Sequence, residues 1–126
     1  MSVDFRDLTK SQRRAIRDLA ALAHTRELSA ELTRLESAFA RWRASEIDPH
    51  ELSNLIHAFH QGSSRKLFVA YSDSAPTLPV ASAIARGIIS ESEVPEHVRD
   101  FLGPAISFFH NHIGSDSDVD DSDATP

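Results

Sequence analysis

No cysteine occurs anywhere in the chain. That excludes disulfide bridges, thiolate-bound zinc and a cysteine nucleophile. Glycine is scarce, with four residues in 126. So few leave little room for a phosphate-cradling or dinucleotide-binding loop, and the Gly-x-Ser-x-Gly turn of hydrolases is missing too. No run of about 18 apolar residues is present, so no membrane span is expected. The first ten residues, MSVDFRDLTK, lack the basic-then-apolar order of a secretory leader. The expectation is a cytoplasmic, non-enzymatic protein with no cofactor and no membrane contact.

Basic residues are few in the second part of the chain. Residues 44–126 hold four Lys or Arg against thirteen Asp or Glu, whereas residues 1–43 hold nine against six. Five of the aspartates lie within GSDSDVDDSDATP at the end. This segment carries too little apolar surface to offset its ordering entropy. It is read as a disordered acidic tail, 114–126, behind a single helical domain, 1–113. Its Asp116, Asp118 and Asp120 begin like a calcium loop. Asp121 then stands where that loop needs glycine, and the chain ends before the closing glutamate.

What the sequence has in quantity is helical patterning. From Thr9 to Ala44 there is neither glycine nor proline. Thr9 and Gln12 have the spacing of a capping box, which starts a helix at Lys10. On a wheel of about 100° per residue, Ile16, Leu19 and Ala23 cluster on one side, while Leu28, Leu32, Leu35, Phe39 and Trp42 cluster on the other. Either the helix breaks near His24–Leu28, or one long helix buries different faces in its two halves. The second set alternates steps of four and three, the spacing of a coiled-coil seam. These five residues are the expected interface of a homodimer.

Asp48 before Pro49 signals a second helix, with Leu52, Leu55, Ile56 and Phe59 as its buried face and Gly62 at its end. Ser63 or Ser64 is expected to cap a short third helix. Its LFVAY could be a strand, but no other segment offers a partner, and a lone strand leaves its backbone groups unpaired. Pro79 and Gly87 bracket a fourth helix. Ser90, Ser92 and Pro95 introduce a last one that meets Gly103-Pro104, where a kink or break is expected because proline removes a backbone donor. The fold class is all-α, a compact bundle of five or six helices with one long N-terminal helix. The expected core contains Ile16, Leu19, Leu32, Leu35, Leu55, Ile56, Phe59, Phe68, Ile84, Phe101 and Phe109.

Histidine is the one abundant reactive type, with seven residues. His57 and His60 lie at i and i+3, and so do His24 and Glu27 on the first helix. Facing helices build metal sites from such pairs. The set His24, Glu27, His57 and His60 is therefore a candidate metal centre, the alternative to a protein–protein interaction scaffold. A third reading is a nucleic-acid-binding regulator. Lys10, Arg13, Arg14 and Arg17 form one basic helical face, able in principle to meet phosphates. Against it, the face carries no aromatic residue and only Ser11 and Gln12 as polar readers.

Overall fold

The computed structural model describes residues 4–123, with side chains described as far as His112. The first long helix, α1 (Lys10–Arg43), is continuous through His24–Leu28. It starts where the capping box places it. The Gln12 N–H donates to Thr9 Oγ1 at 3.1 Å, and the Thr9 N–H donates to Gln12 Oε1 at 2.9 Å. Its 34 residues span about 50 Å at about 1.5 Å per residue.

The end of α1 is closed by an unusual residue. The Ser45 N–H donates to Trp42 O at 3.0 Å and the Glu46 N–H to Arg41 O at 2.8 Å. This pair of bonds needs a left-handed residue between helix and loop, usually glycine. Here it is Ser45, at φ 62°. A side chain in that conformation costs about 1–2 kcal/mol. Ser45→Gly should therefore raise stability by about 1 kcal/mol, allowing for glycine's greater entropy when unfolded. A thermal melt checks this; an unchanged or lower midpoint contradicts it. The same bonding pattern closes a later helix at Gly87, φ 82°, the position at which the sequence calls for glycine.

The remaining helices are α2 (Pro49–Ala58), a π-helical segment (Phe59–Ser64), α3 (Arg65–Tyr71), α4 (Thr77–Ala85) and α5 (Glu96–Asp123). Short 3-10 turns stand at Phe5–Asp7 and Glu91–Glu93. Among the described residues there is no strand, and LFVAY is helical. The fold is all-α. Gly62 does not end a helix and neither Ser63 nor Ser64 caps one, because the π-helical segment carries α2 straight into α3. The described residues thus form four unbroken helical stretches rather than five or six separate helices. α5 likewise runs through Pro104 without a break. The disordered acidic tail expected at 114–126 lies where no side chain is described.

The main core gathers the first half of α1 with α3, α4 and α5. Ile16, Ala23, Val80, Ala83, Ile89, Val98 and Leu102 are fully buried there, and Phe5 and Leu8 of the N-terminal arm close one side. A second, much smaller cluster holds Ala38, Ile47 and Leu52, with Phe39 against it. It joins the far half of α1 to α2. Between its two halves the buried face of α1 turns by about a quarter of the helix circumference, not a half.

The expected core needs correction at four positions. Leu32, Leu55, Ile56 and Phe68 are exposed, Phe68 by 61%. For Phe68 the cause is local. A π turn adds one residue to the helical repeat and so rotates everything after it by about 100°. That brings Leu67 and Tyr71 onto the inward face, and Phe68, about 100° round the helix from Leu67, stays outside it. Leu35, Phe59, Phe101 and Phe109 are half-buried, while Ile16, Leu19 and Ile84 are buried as expected.

Candidate functional site

Two arrangements stand out, one polar and one apolar. The polar one joins three helices at the middle of α1. Glu27 faces Tyr71 at the end of α3 and Arg86 just after α4. The Tyr71 hydroxyl donates to Glu27 Oε2 at 2.5 Å. Arg86 donates to Glu27 Oε1 at 2.5 Å and to the Tyr71 oxygen at 3.3 Å. His24, one turn before Glu27, stacks on the Tyr71 ring with centroids 5.9 Å apart. Nearby, Arg26 makes a two-pronged pair with Glu93 at 2.8 and 2.6 Å and donates to Ile88 O at 2.9 Å.

Partial burial pushes the Glu27 carboxyl up, but the hydrogen bonds from Arg86 and Tyr71 and the charge of Arg86 outweigh it, leaving Glu27 below the usual carboxylate value. Burial, reinforced by the bond to Glu27, pushes the Tyr71 phenol up to about 12. The Arg26 hydrogen bond, helped by Ser90, brings Glu93 down to about 2. These shifts fix the pH dependence of stability. The two carboxyls are more acidic folded than unfolded, so their contribution is complete above about pH 4.5 and is lost as pH falls through their folded values. The phenol is less acidic when folded, so its contribution is complete below about pH 10 and is lost as pH rises toward 12. Melting temperatures should fall on both sides of that plateau. The ultraviolet titration of the single tyrosine should lag that of an unfolded chain. A tyrosine titrating normally in the folded protein contradicts the arrangement.

This cluster bonds internally and bridges helices; its geometry is that of a structural junction. It also removes Glu27 from metal chemistry. Among the described residues no group of three or more His, Asp or Glu side chains lies close enough to hold a metal ion. The candidate centre His24, Glu27, His57 and His60 is therefore not assembled. Glu27 is held by Arg86 and Tyr71, His24 lies on Tyr71, and His57 and His60 are exposed on or next to α2. His112 stacks on Phe108, with its Nδ1 at 2.8 Å from Phe108 O.

The basic face of α1 is similarly engaged in structure. Arg13 donates to Leu8 O at 2.7 Å, and Arg17 to Ser74 O at 3.4 Å. Gln12, one of its two polar readers, donates to His97 O at 2.8 Å and so ties α1 to α5. Lys10 and Arg14 remain exposed.

The apolar arrangement follows the far half of α1. Leu32 is 47% exposed and Trp42 40% exposed, while Leu28, Leu35 and Phe39 are half-buried. Phe39 and Trp42 meet edge to face at 6.5 Å. Two open grooves flank Leu35. One, about 200 Å³, runs between Glu31, Arg34, Leu35 and Ala38 of α1 and Leu55, Ala58, Phe59 and Ser63 opposite. The other, about 370 Å³, lies over Leu32, Leu35, Glu36, Phe39 and Arg43. Leu55 and Ile56 extend the apolar surface onto α2. Here α1 and α2 form two layers over three buried residues, and among the described residues no other helix joins that cluster.

Neither a family model, nor a curated protein, nor a solved structure matches this chain.

The reading of function therefore rests on geometry alone. No helix among the described residues is long and apolar enough to cross a membrane. The sequence pattern points to Leu28, Leu32, Leu35, Phe39 and Trp42, and the structure places them along one open stretch of surface. It misses the Glu27–Tyr71–Arg86 cluster, whose members lie 44 and 59 residues from Glu27. A junction between distant polar residues leaves no periodic signal to find.

Proposed function

We propose that this protein is a non-enzymatic helical interaction protein that self-associates as a homodimer through the far half of α1. The observation that carries this is the partly open seam Leu28, Leu32, Leu35, Phe39 and Trp42, with Leu32 and Trp42 exposed, beside a cluster of three buried residues among those described. A second copy is the simplest partner because the seam is spaced for another helix like itself. A two-fold axis places the same patch on both sides. The α1–α2 layers of two copies would then make a four-helix arrangement, completing as an assembly the bundle that one chain leaves open at this end. Contiguous exposed apolar surface of this kind marks interaction sites.

Trp42 is the natural reporter, being the only tryptophan and lying at the end of the seam. Its emission should shift to the red on dilution as the dimer dissociates. Leu32→Glu places a charge in the middle of the seam. It should give the red-shifted emission at every concentration while leaving the melting profile of the monomer intact. Identical emission from both proteins at all concentrations overturns the proposal.

A further inference from the structure

A different part of the molecule carries an independent inference. The N-terminal arm crosses the start of α1, and Phe5 and Leu8 anchor it in the main core. Between this arm, the first turns of α1 and the loop after α3 lies an open cavity of about 450 Å³. Its lining includes Arg6, Arg13 and Arg17 and, from the loop after α3, Ser74 and Ala75. Asp4 is the one carboxylate among the lining residues.

The arginines are held but not neutralised. Arg13 is fixed through its Nη1, which donates to Leu8 O at 2.7 Å and reaches Arg6 O at 3.4 Å. Arg17 is fixed through its Nη2 to Ser74 O and by its position 5.5 Å from the centre of the Phe5 ring. Arg6, at the exposed rim, reaches Asp4 at 3.4 Å. Neither Arg13 nor Arg17 pairs with a carboxylate among the described residues, and each keeps its Nε and one terminal nitrogen without a hydrogen bond. Asp73, beside the rim, has its carboxylate on the Ala75 N–H at 3.1 Å. Among the lining residues three positive groups thus meet one carboxylate, with Asp73 a second one beside the rim.

Guanidinium groups anchored by backbone carbonyls, with donors left over, suit a tetrahedral oxyanion, because the planar fork offers two parallel N–H bonds. The excess of positive charge suits a phosphate anion, and the cavity has room for more than the phosphate itself. We propose that the cavity between the N-terminal arm and α1 binds a phosphate monoester through Arg13 and Arg17, with Arg6 closing the rim. The arm makes this a built site and not a bare helix face. It holds Arg13 and Arg17 beside a concave space through Leu8 O and Ser74 O, whereas Lys10 and Arg14 do not line it.

Isothermal titration at constant ionic strength tests this with three probes: inorganic phosphate, glycerol phosphate and a short single-stranded oligonucleotide. Saturable one-to-one binding of glycerol phosphate is expected. Inorganic phosphate binding as tightly would identify the free ion as the ligand; weaker binding would identify an ester. Arg17→Gln should weaken glycerol phosphate at least tenfold, and Arg14→Gln, outside the cavity, should leave it unchanged. Melting profiles confirm that both variants are folded, and Arg6→Gln serves in place of Arg17→Gln if that variant is not. No saturable binding by either phosphate overturns the proposal. So do equal losses in the Arg14 and Arg17 variants, and so does binding of the oligonucleotide alone, which would indicate a basic face for nucleic acid.

Discussion

Ile16→Ala should destabilise the folded chain by about 4 kcal/mol. Ile16 is fully buried in the first half of α1, among residues of α4 and α5 that are themselves inaccessible. Removing three carbons there loses their transfer free energy and leaves a cavity that packed helices close only in part. Domains of this size have about 5–15 kcal/mol of stability in all, so the loss should be evident in any denaturation curve. Leu32→Ala, on the same helix but 47% exposed, should cost under about 1 kcal/mol in the monomer. The contrast locates the true core of α1. Urea midpoints for the two variants, at unchanged slope, measure it. Similar losses in both would mean that the inner face of α1 is misassigned.

The second large effect is expected at Glu27. Glu27→Ala removes the acceptor shared by Arg86 and Tyr71 and leaves a cation and a hydroxyl partly buried without their partner. Breaking a buried pair from one side costs about 3–5 kcal/mol. Arg86 keeps 36% of its side chain in solvent, which screens part of that penalty, so about 2 kcal/mol is expected here. The Tyr71 titration supplies a second readout. Without the anion beside it, its midpoint should move from about 12 back toward 10. A loss of stability with no movement of the tyrosine titration would show that the bond between them contributes little.

Much of the helical layout is legible in local chemistry. Thr9 with Gln12, Asp48 before Pro49, and Gly87 each mark a boundary because each satisfies backbone groups at a helix end using neighbours a few residues away. Other features are not local. Gly62 and the serines after it look like a stop followed by a cap, yet the chain takes a π turn and continues. Past that turn Leu67 and Tyr71 carry the inward face and Phe68 lies beside it, a distinction that the apolar run LFVAY does not mark. The wheel also overstates the turn of the buried stripe along α1. It weighs every apolar residue equally, although α2 covers the Ala38 side and leaves Leu32 open. The candidate seam is legible because it is periodic. The polar junction at Glu27 and the arginine-lined cavity depend on tertiary pairing, which spacing does not encode.

The central claim is that the seam along the far half of α1 is covered by a second copy of the chain. Sedimentation velocity over a hundredfold range of concentration tests it most directly. At the upper end the wild-type protein should sediment at twice the 13.9 kDa of one chain, dissociating on dilution, and Leu32→Glu should sediment as a monomer throughout. A wild-type protein that remains at 13.9 kDa across the whole range would contradict the account.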